Sequence, residues 1–315
     1  MIAWLAACVP PDEAGDLGAL PSSAPDAVRF VAVGDPGKGN AAMRAVAAQT
    51  AATCRAWGCD FVVVLGDLLY PAGVEGPDDH RLADWVVKPY AEAGVPVVLL
   101  LGNHDYGNSR QWAHGARARE QALAAGALLP APYFRWSAGP ATFLGLDTSR
   151  LYWGDANQQR WLDEALAAAD APWVVTLGHH TWRSVGPHGN AGAYDGWPAV
   201  PWLSGAALSR TFDGTLCGRA DLHLAGHDHS LQLLEGPCGE TLVVSGAAGG
   251  ATRVRATDPT GATRASAVRW AAATSGLAWI SLGDTGEVRF VDADGALLHT
   301  ATFPRRRAAD RARPH

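Results

Sequence analysis

Lysine is almost missing from this sequence: Lys38 and Lys88 are the only two in 315 residues, and arginine supplies nearly all the positive charge. The formal net charge is −6. Arginines 305, 306, 307, 311 and 313 set against Asp310 place a local +4 at the C-terminus, which leaves the body near −10. A body of that sign argues against a phosphate-backbone binder, so no nucleic-acid partner is expected. Long apolar runs are missing too. No stretch approaches the roughly 20 residues that a membrane-spanning helix requires. There is no internal repeat and no long linker after Asp26. What is present is a globular composition, 48% hydrophobic with 36 glycines, long enough for one large α/β domain with a substantial core.

The N-terminus is the informative exception. Leu5-Ala6-Ala7-Cys8 resembles the lipobox of bacterial lipoproteins, in which small residues precede the cysteine that takes the lipid. A run rich in Pro, Gly, Ser and Asp follows, without periodicity, from Val9 to Asp26. A charged n-region and a full apolar core are lacking, so residues 1–26 read as a truncated lipoprotein signal and flexible tether whose start codon lies upstream. The expectation is an exported monomer, periplasmic or at the cell surface, tethered to a membrane through lipid on Cys8. The alternative is a cytosolic N-terminus with a chance cysteine. Cys54, Cys59, Cys217 and Cys238 allow three pairings. The sequential one, Cys54–Cys59 and Cys217–Cys238, is favoured because the second pair flanks a strand–loop–strand pattern. Disulfides would suit an exported chain, whereas four reduced, buried thiols would suit a cytosolic one.

Short, continuously apolar runs ending in Gly, Asp, Asn or His recur along the chain. They are Val28–Val33, Phe61–Leu65, Val97–Leu101, Phe143–Leu146, Trp173–Leu177 and Leu222–Ala225. Such runs are what strands buried on both faces look like. Helical patterns lie between them at 41–54, 79–93, 109–125, 157–169 and 202–212, with Asp78 and Asn157 as expected N-caps. After Thr241–Ser245 only strands and turns remain. Every polar cluster falls at the carboxyl end of a strand, the edge where ligands bind in open α/β sheets.

Asp35, Asp67, Asn103, His179, His227 and His229 are O and N donors on five separate strand ends. A His-x-His pair can present imidazoles to two adjacent metals, and the two oxygens of Asp67 can bridge them. Two ions about 3.5–4 Å apart can clamp a phosphoryl group and generate hydroxide from water near neutral pH. The absence of cysteine from the set disfavours a thiolate-binding metal. Each piece alone reads as a turn or a surface residue; their ordered coincidence does not.

Asp35-Pro36-Gly37, Gly66-Asp67-Leu68-Leu69-Tyr70, Gly102-Asn103-His104-Asp105, Gly178-His179 and Gly226-His227-Asp228-His229 resemble the metal motifs of the calcineurin-like metallophosphoesterases. More narrowly they resemble the purple acid phosphatases, small tartrate-resistant type, over nearly everything from Val28 to Arg307. Many other members carry Asp-x-His at the first motif; here Gly37 stands in that place and Tyr70 supplies a phenolate. The resemblance implies a four-layer α/β/β/α sandwich of two mixed sheets flanked by helices, with the metal site at strand C-terminal ends. The domain would span 27–305, and 306–315 would be a solvated basic C-terminal tail.

The same resemblance implies Fe(III) on Asp35, Tyr70, His229 and Asp67, and a divalent Fe, Zn or Mn on Asn103, His179, His227 and Asp67. The activity it implies is hydrolysis of small phosphate monoesters by an acid phosphatase using metal-activated hydroxide. The alternatives are a phosphodiesterase or nucleotide hydrolase on the same site, or a non-catalytic metal-binding surface protein. His104 and His188 would be catalytic, with Asp105 orienting His104. His180 competes with His179 as ligand, and the Gly-His match and the offset to His188 favour His179. Tyr194, Trp197 and Trp202 could line a substrate pocket; packing of their own loop is the favoured expectation.

Overall fold

The computed structural model describes residues 14–107, 111–255 and 267–306. An eight-stranded sheet runs in the order β1 (Gly15–Ala19), β5 (Phe134–Ala138), β6 (Ala141–Gly145), β7 (Trp173–Leu177), β8 (Leu222–Ala225), β10 (Thr241–Ser245), β9 (Leu231–Glu235), β11 (Val268–Ala272). A six-stranded sheet runs β14 (Leu297–Phe303), β13 (Gly286–Asp292), β12 (Gly276–Leu282), β2 (Val28–Val33), β3 (Phe61–Leu65), β4 (Val97–Leu100). Both are mixed: β2, β3 and β4 are mutually parallel, as are β6, β7, β8 and β10, and antiparallel strands complete each sheet.

The sheets pack face to face. Phe30 and Phe61 of one stack at 4.9 Å and meet Phe143 and Trp136 of the other edge-on, at 5.4 Å for Phe30–Phe143 and 6.0 Å for Phe61–Trp136. Helices α1 (Ala41–Trp57), α2 (Lys88–Ala91) and α3 (Trp112–Ala124) lie on the six-stranded side. Helices α4 (Thr148–Tyr152), α5 (Ala156–Ala167) and α6 (Ala206–Thr211) close a second core over the eight-stranded sheet, around Leu144, Val174 and Val244. This is the expected four-layer sandwich. The parallel strands β3, β4, β7, β8 and β10 are buried along their whole length, which is why their sequences are unbroken apolar runs.

Several expectations are corrected. Gly15–Ala19, read as tether, pairs parallel with β5; Leu17 and Leu20 pack on the core and Arg135 meets Asp16 at 2.8 Å. Arg306, read as solvated tail, donates its backbone N–H to Asp221 and brings its guanidinium to Glu240 and the Cys238 carbonyl. Asp155, not Asn157, caps α5, accepting from the N–H groups of Asn157 and Gln158. Asp78 caps nothing: a π-helical turn, Leu82–Val87, follows Arg81 and runs into α2. Cys54–Cys59 and Cys217–Cys238 are disulfides, the sequential pairing. No helix among the described residues is long and apolar enough to cross a membrane. Cys8 and the arginines after 306 lie outside the described residues.

Candidate metal centre

At the carboxyl ends of β2, β3, β4, β7 and β8 the chain leaves each strand through a turn that aims a donor at one point. Asp35, Asp67 and His227 do so at φ 61°, 53° and 66°, the left-handed region that L-residues avoid unless their surroundings force it. Among the described residues the only other non-glycine with positive φ is Asp195, also at this site. The glycines beside these donors permit close approach. A Cβ on Gly102 would sit 2.2 Å from Asp67 Oδ1.

The seven side chains expected as ligands converge, and their contacts divide them into two groups. In the first, Tyr70 Oη lies 3.0 Å from Asp35 Oδ1 and 3.0 Å from His229 Nε2, and His229 Nε2 lies 3.3 Å from Asp35 Oδ1. In the second, His179 Nε2 lies 3.0 Å from Asn103 Oδ1 and 3.2 Å from His227 Nδ1. Asp67 stands between them, with Oδ1 3.3 Å from His179 Nε2. One ligand atom each from Asp35, Asp67 and His179 fit within 4.8 Å of one another. The set fits two cations, with hard oxygen donors concentrated in the first group and imidazoles with a neutral amide in the second. His179 donates Nδ1–H to the Leu65 carbonyl at 2.8 Å, which fixes the ring with Nε2 directed at the cluster. Its burial is outweighed by the carboxylates of Asp67 and Asp35, which raise its pKa to about 10.

The electrostatics fit the same reading. Burial alone would raise Asp67, yet the imidazoles of His179 and His104 hold it well below the carboxylate range. Burial and the carboxylates of Asp35 and Asp67 push the Tyr70 phenol far above its ordinary value. Ionising that phenol therefore demands strong positive charge against it, as a trivalent cation supplies.

The structure brings His179, not His180, to the cluster. His180 turns its Nδ1 to Thr148 Oγ1 at 2.9 Å and lies beside Tyr152, Tyr194 and His227. Gly37 has a positive reason to be glycine: a Cβ there would sit 2.5 Å from Leu69 N and 2.6 Å from Leu68 C. Gly37 N–H donates to Asp67 O and its carbonyl accepts from Tyr70 N–H, so the turn that excludes a side chain at 37 is the one that delivers Tyr70.

His104 packs on Tyr70 with centroids 4.3 Å apart and donates Nδ1–H to the Pro71 carbonyl at 2.7 Å, leaving Nε2 toward the site. Asp105 does not orient His104. Its buried carboxylate accepts from the N–H groups of Leu68, Leu69 and Gly102, tying the turn after β3 to the turn after β4. Burial and the Asp67 charge push it up to about 7. His188 stacks on His227 at 4.3 Å and donates Nδ1–H to Asp195 at 2.8 Å. Its loop is pinned by Asp228, whose carboxylate accepts from Ser184 Oγ and the N–H groups of His188 and Gly189. Sequence reasoning missed Asp195 and Asp228, because an Asp-Gly pair and an acid between two histidines read as turn residues. Tyr194 is buried, as packing requires, and its ring also lines the cleft beside the centre; the packing expectation fails for Trp197 and Trp202, which are 56% and 59% exposed.

Fold and site together define a hydrolase of phosphoric esters that works through a dimetal centre. A family description, calcineurin-like phosphoesterase, matches residues 28–231, and the chain belongs to that family. Human tartrate-resistant acid phosphatase type 5 is 30% identical over 266 residues, 73% of this chain and 76% of that protein. Purple acid phosphatase 3 of Arabidopsis thaliana is 25% identical over 244 residues, 67% of this chain and 60% of that one. Among solved structures, the purple acid phosphatase PPD1 of yellow lupin seeds superposes with a TM-score of 0.69 at 17% identity, covering 90% of this chain and 55% of that chain. GAP50, described as the anchor in the inner membrane complex of Plasmodium, superposes with 0.68 at 16%, covering 89% and 90%. These two likenesses concern the fold.

Proposed function

We propose that the chain is a phosphomonoesterase of the purple acid type. In this reading Asp35, Tyr70, His229 and the shared Asp67 hold Fe(III), and Asn103, His179, His227 and Asp67 hold a divalent Fe, Zn or Mn ion. The observation that carries it is the division of the seven donors into two mutually touching groups with Asp67 between them. When bound, the metals neutralise the phosphate and make water nucleophilic. The chain's own residues do the rest. His104 presents Nε2 over the site as the proton donor to the departing alcohol, its ring fixed by the Pro71 carbonyl. His188, fixed by Asp195 and seated on His227, is the second group facing the ester.

The decisive measurement is metal content with a visible spectrum, wild type against Tyr70→Phe. Wild type should bind two metals, one of them iron, absorb in the visible through phenolate-to-iron charge transfer, and hydrolyse simple monoesters. Tyr70→Phe should lose the band. Iron-loaded wild type without a band would end the Tyr70–iron assignment, and no phosphoester hydrolysis from pH 4 to 8 would end the reading as a whole.

The same proposal places the chain outside the cytoplasm as a lipid-tethered monomer. Its two disulfides support that location. Expression in a host that processes lipoproteins should yield lipid mass on Cys8, and an unmodified cytosolic product would refute it.

A further inference from the structure

Beside the Asn103 and His227 edge of the centre opens a cleft of about 250 Å³. Its outer walls are aromatic and aliphatic. Tyr152 and Trp153 come from the end of α4, and Tyr194, Trp202 and Leu203 from the loop before α6. The two tyrosines lie nearly parallel, 10° between planes and 6.1 Å between centroids. Tyr152 Oη donates to the Leu203 carbonyl at 2.5 Å, and Tyr194 Oη donates to the Thr181 carbonyl, so both walls are fixed. Trp153, Trp202 and Leu203 keep 37%, 59% and 48% of their surface in solvent. Single exposed apolar side chains are ordinary on a soluble protein; three converging on one concave site beside reactive groups are the pattern of a ligand pocket.

The charges at the cleft say what it does not take. No Lys or Arg is among its described lining residues, and its one carboxylate, Asp195, is engaged with His188. A second or third phosphate lying there would meet no Lys or Arg among the described lining residues, so nucleoside polyphosphates are poor occupants. A flat ring fits, because the walls offer ring faces and edges. Aromatic pairs gain stacking beyond the area that any apolar group would bury.

We propose that this cleft holds the leaving group, and that the chain selects monoesters of planar aromatic alcohols over alkyl monoesters and over polyphosphates. The inference rests on the monoester reading above. In the reaction the ester P–O bond breaks, water supplies the new P–O bond, and the aromatic alcohol departs carrying a proton. Trp202 and Trp153 are specificity residues here, and Asn103 and His227 mark where the phosphoryl end must sit.

The test compares benzyl with cyclohexylmethyl esters, whose alcohols are close in acidity, so the difference reports the cleft and not bond reactivity. Binding of benzylphosphonate and cyclohexylmethylphosphonate to metal-loaded protein is measured by calorimetry, and kcat/KM is measured for the two phosphates. Wild type should favour the benzyl member roughly tenfold in both. Trp202→Ala combined with Trp153→Ala should erase the preference. Trp197→Ala, an exposed residue of the same loop outside the cleft, should retain it. Equal binding in wild type, or a preference that survives the double variant, overturns the proposal. A phosphonate preference without any turnover would sink the hydrolase reading and leave the aromatic cleft standing; turnover without preference would do the reverse.

Discussion

Asp195 adopts φ 54° in order to place its carboxylate 2.8 Å from His188 Nδ1, and that backbone conformation costs energy unless function or packing holds it. Asparagine tolerates the same backbone and keeps a hydrogen-bond acceptor, so Asp195→Asn isolates the charge. It should lower kcat/KM about 10- to 100-fold, as the loss of orienting partners does, while the thermal midpoint stays near wild type. At Gly37 the space argument gives an equally sharp outcome. Gly37→Ala forces the Leu68–Leu69 backbone aside and with it Tyr70, so iron-loaded protein should lose visible absorbance before it loses the second metal. At this scale the sequence was highly legible for the donors, since Asp, Asn, His and Tyr at strand ends have few other reasons to line up. It was poor for their supports. What Asp105 and Asp228 hold is backbone N–H of distant loops, and no spacing rule reports that.

Elements translate those supports into stability. Asp105 joins the turns after β3 and β4 through three buried N–H groups. Asp105→Ala leaves all three without their acceptor, at about 1–3 kcal/mol for each unsatisfied group. Chemical denaturation should show a loss of at least 3 kcal/mol, and titration should show weaker uptake of both metals; an unchanged midpoint would refute the clamp. The central strands were legible because burial on both faces leaves unbroken apolar runs. The edges were not. β1 contains two glycines, and β5 alternates buried and exposed residues, so neither shows a continuous run. Helix ends were misread by two or three residues where Asp155 outcompeted Asn157 and where a π-helical turn replaced the expected cap at Asp78.

For the molecule as a whole, buried histidines held neutral contribute to an acid-side stability limit, and His223 is the one farthest from the metal centre's donors. His223 on β8 lies against Trp182 and Phe212, and burial pushes it down to about 3 from 6.5. The folded chain keeps it neutral while the unfolded chain takes up a proton below pH 6.5. Its contribution is therefore fully present above that value and is lost as pH falls toward 3. His223→Phe should flatten the decline of the denaturation midpoint between pH 6.5 and 4 relative to wild type. A parallel decline in both proteins would show that other groups govern acid unfolding.

Neither sheet owns the centre. Asp35, Asp67, Tyr70 and Asn103 follow strands of the six-stranded sheet, while His179, His227 and His229 follow strands of the eight-stranded one. Each donor group draws on both, and the seam is already stitched by His227 N–H to Asp35, His179 Nδ1–H to Leu65 O and Ser245 Oγ to Ala32 O. Metal capture is thus a coincidence detector for docking of the two halves: neither half alone can assemble a complete donor group. During refolding with metal present, far-ultraviolet ellipticity should recover first and metal uptake last. Chelation should lower the thermal midpoint in proportion to the logarithm of free metal, as for any ligand that binds only the assembled form.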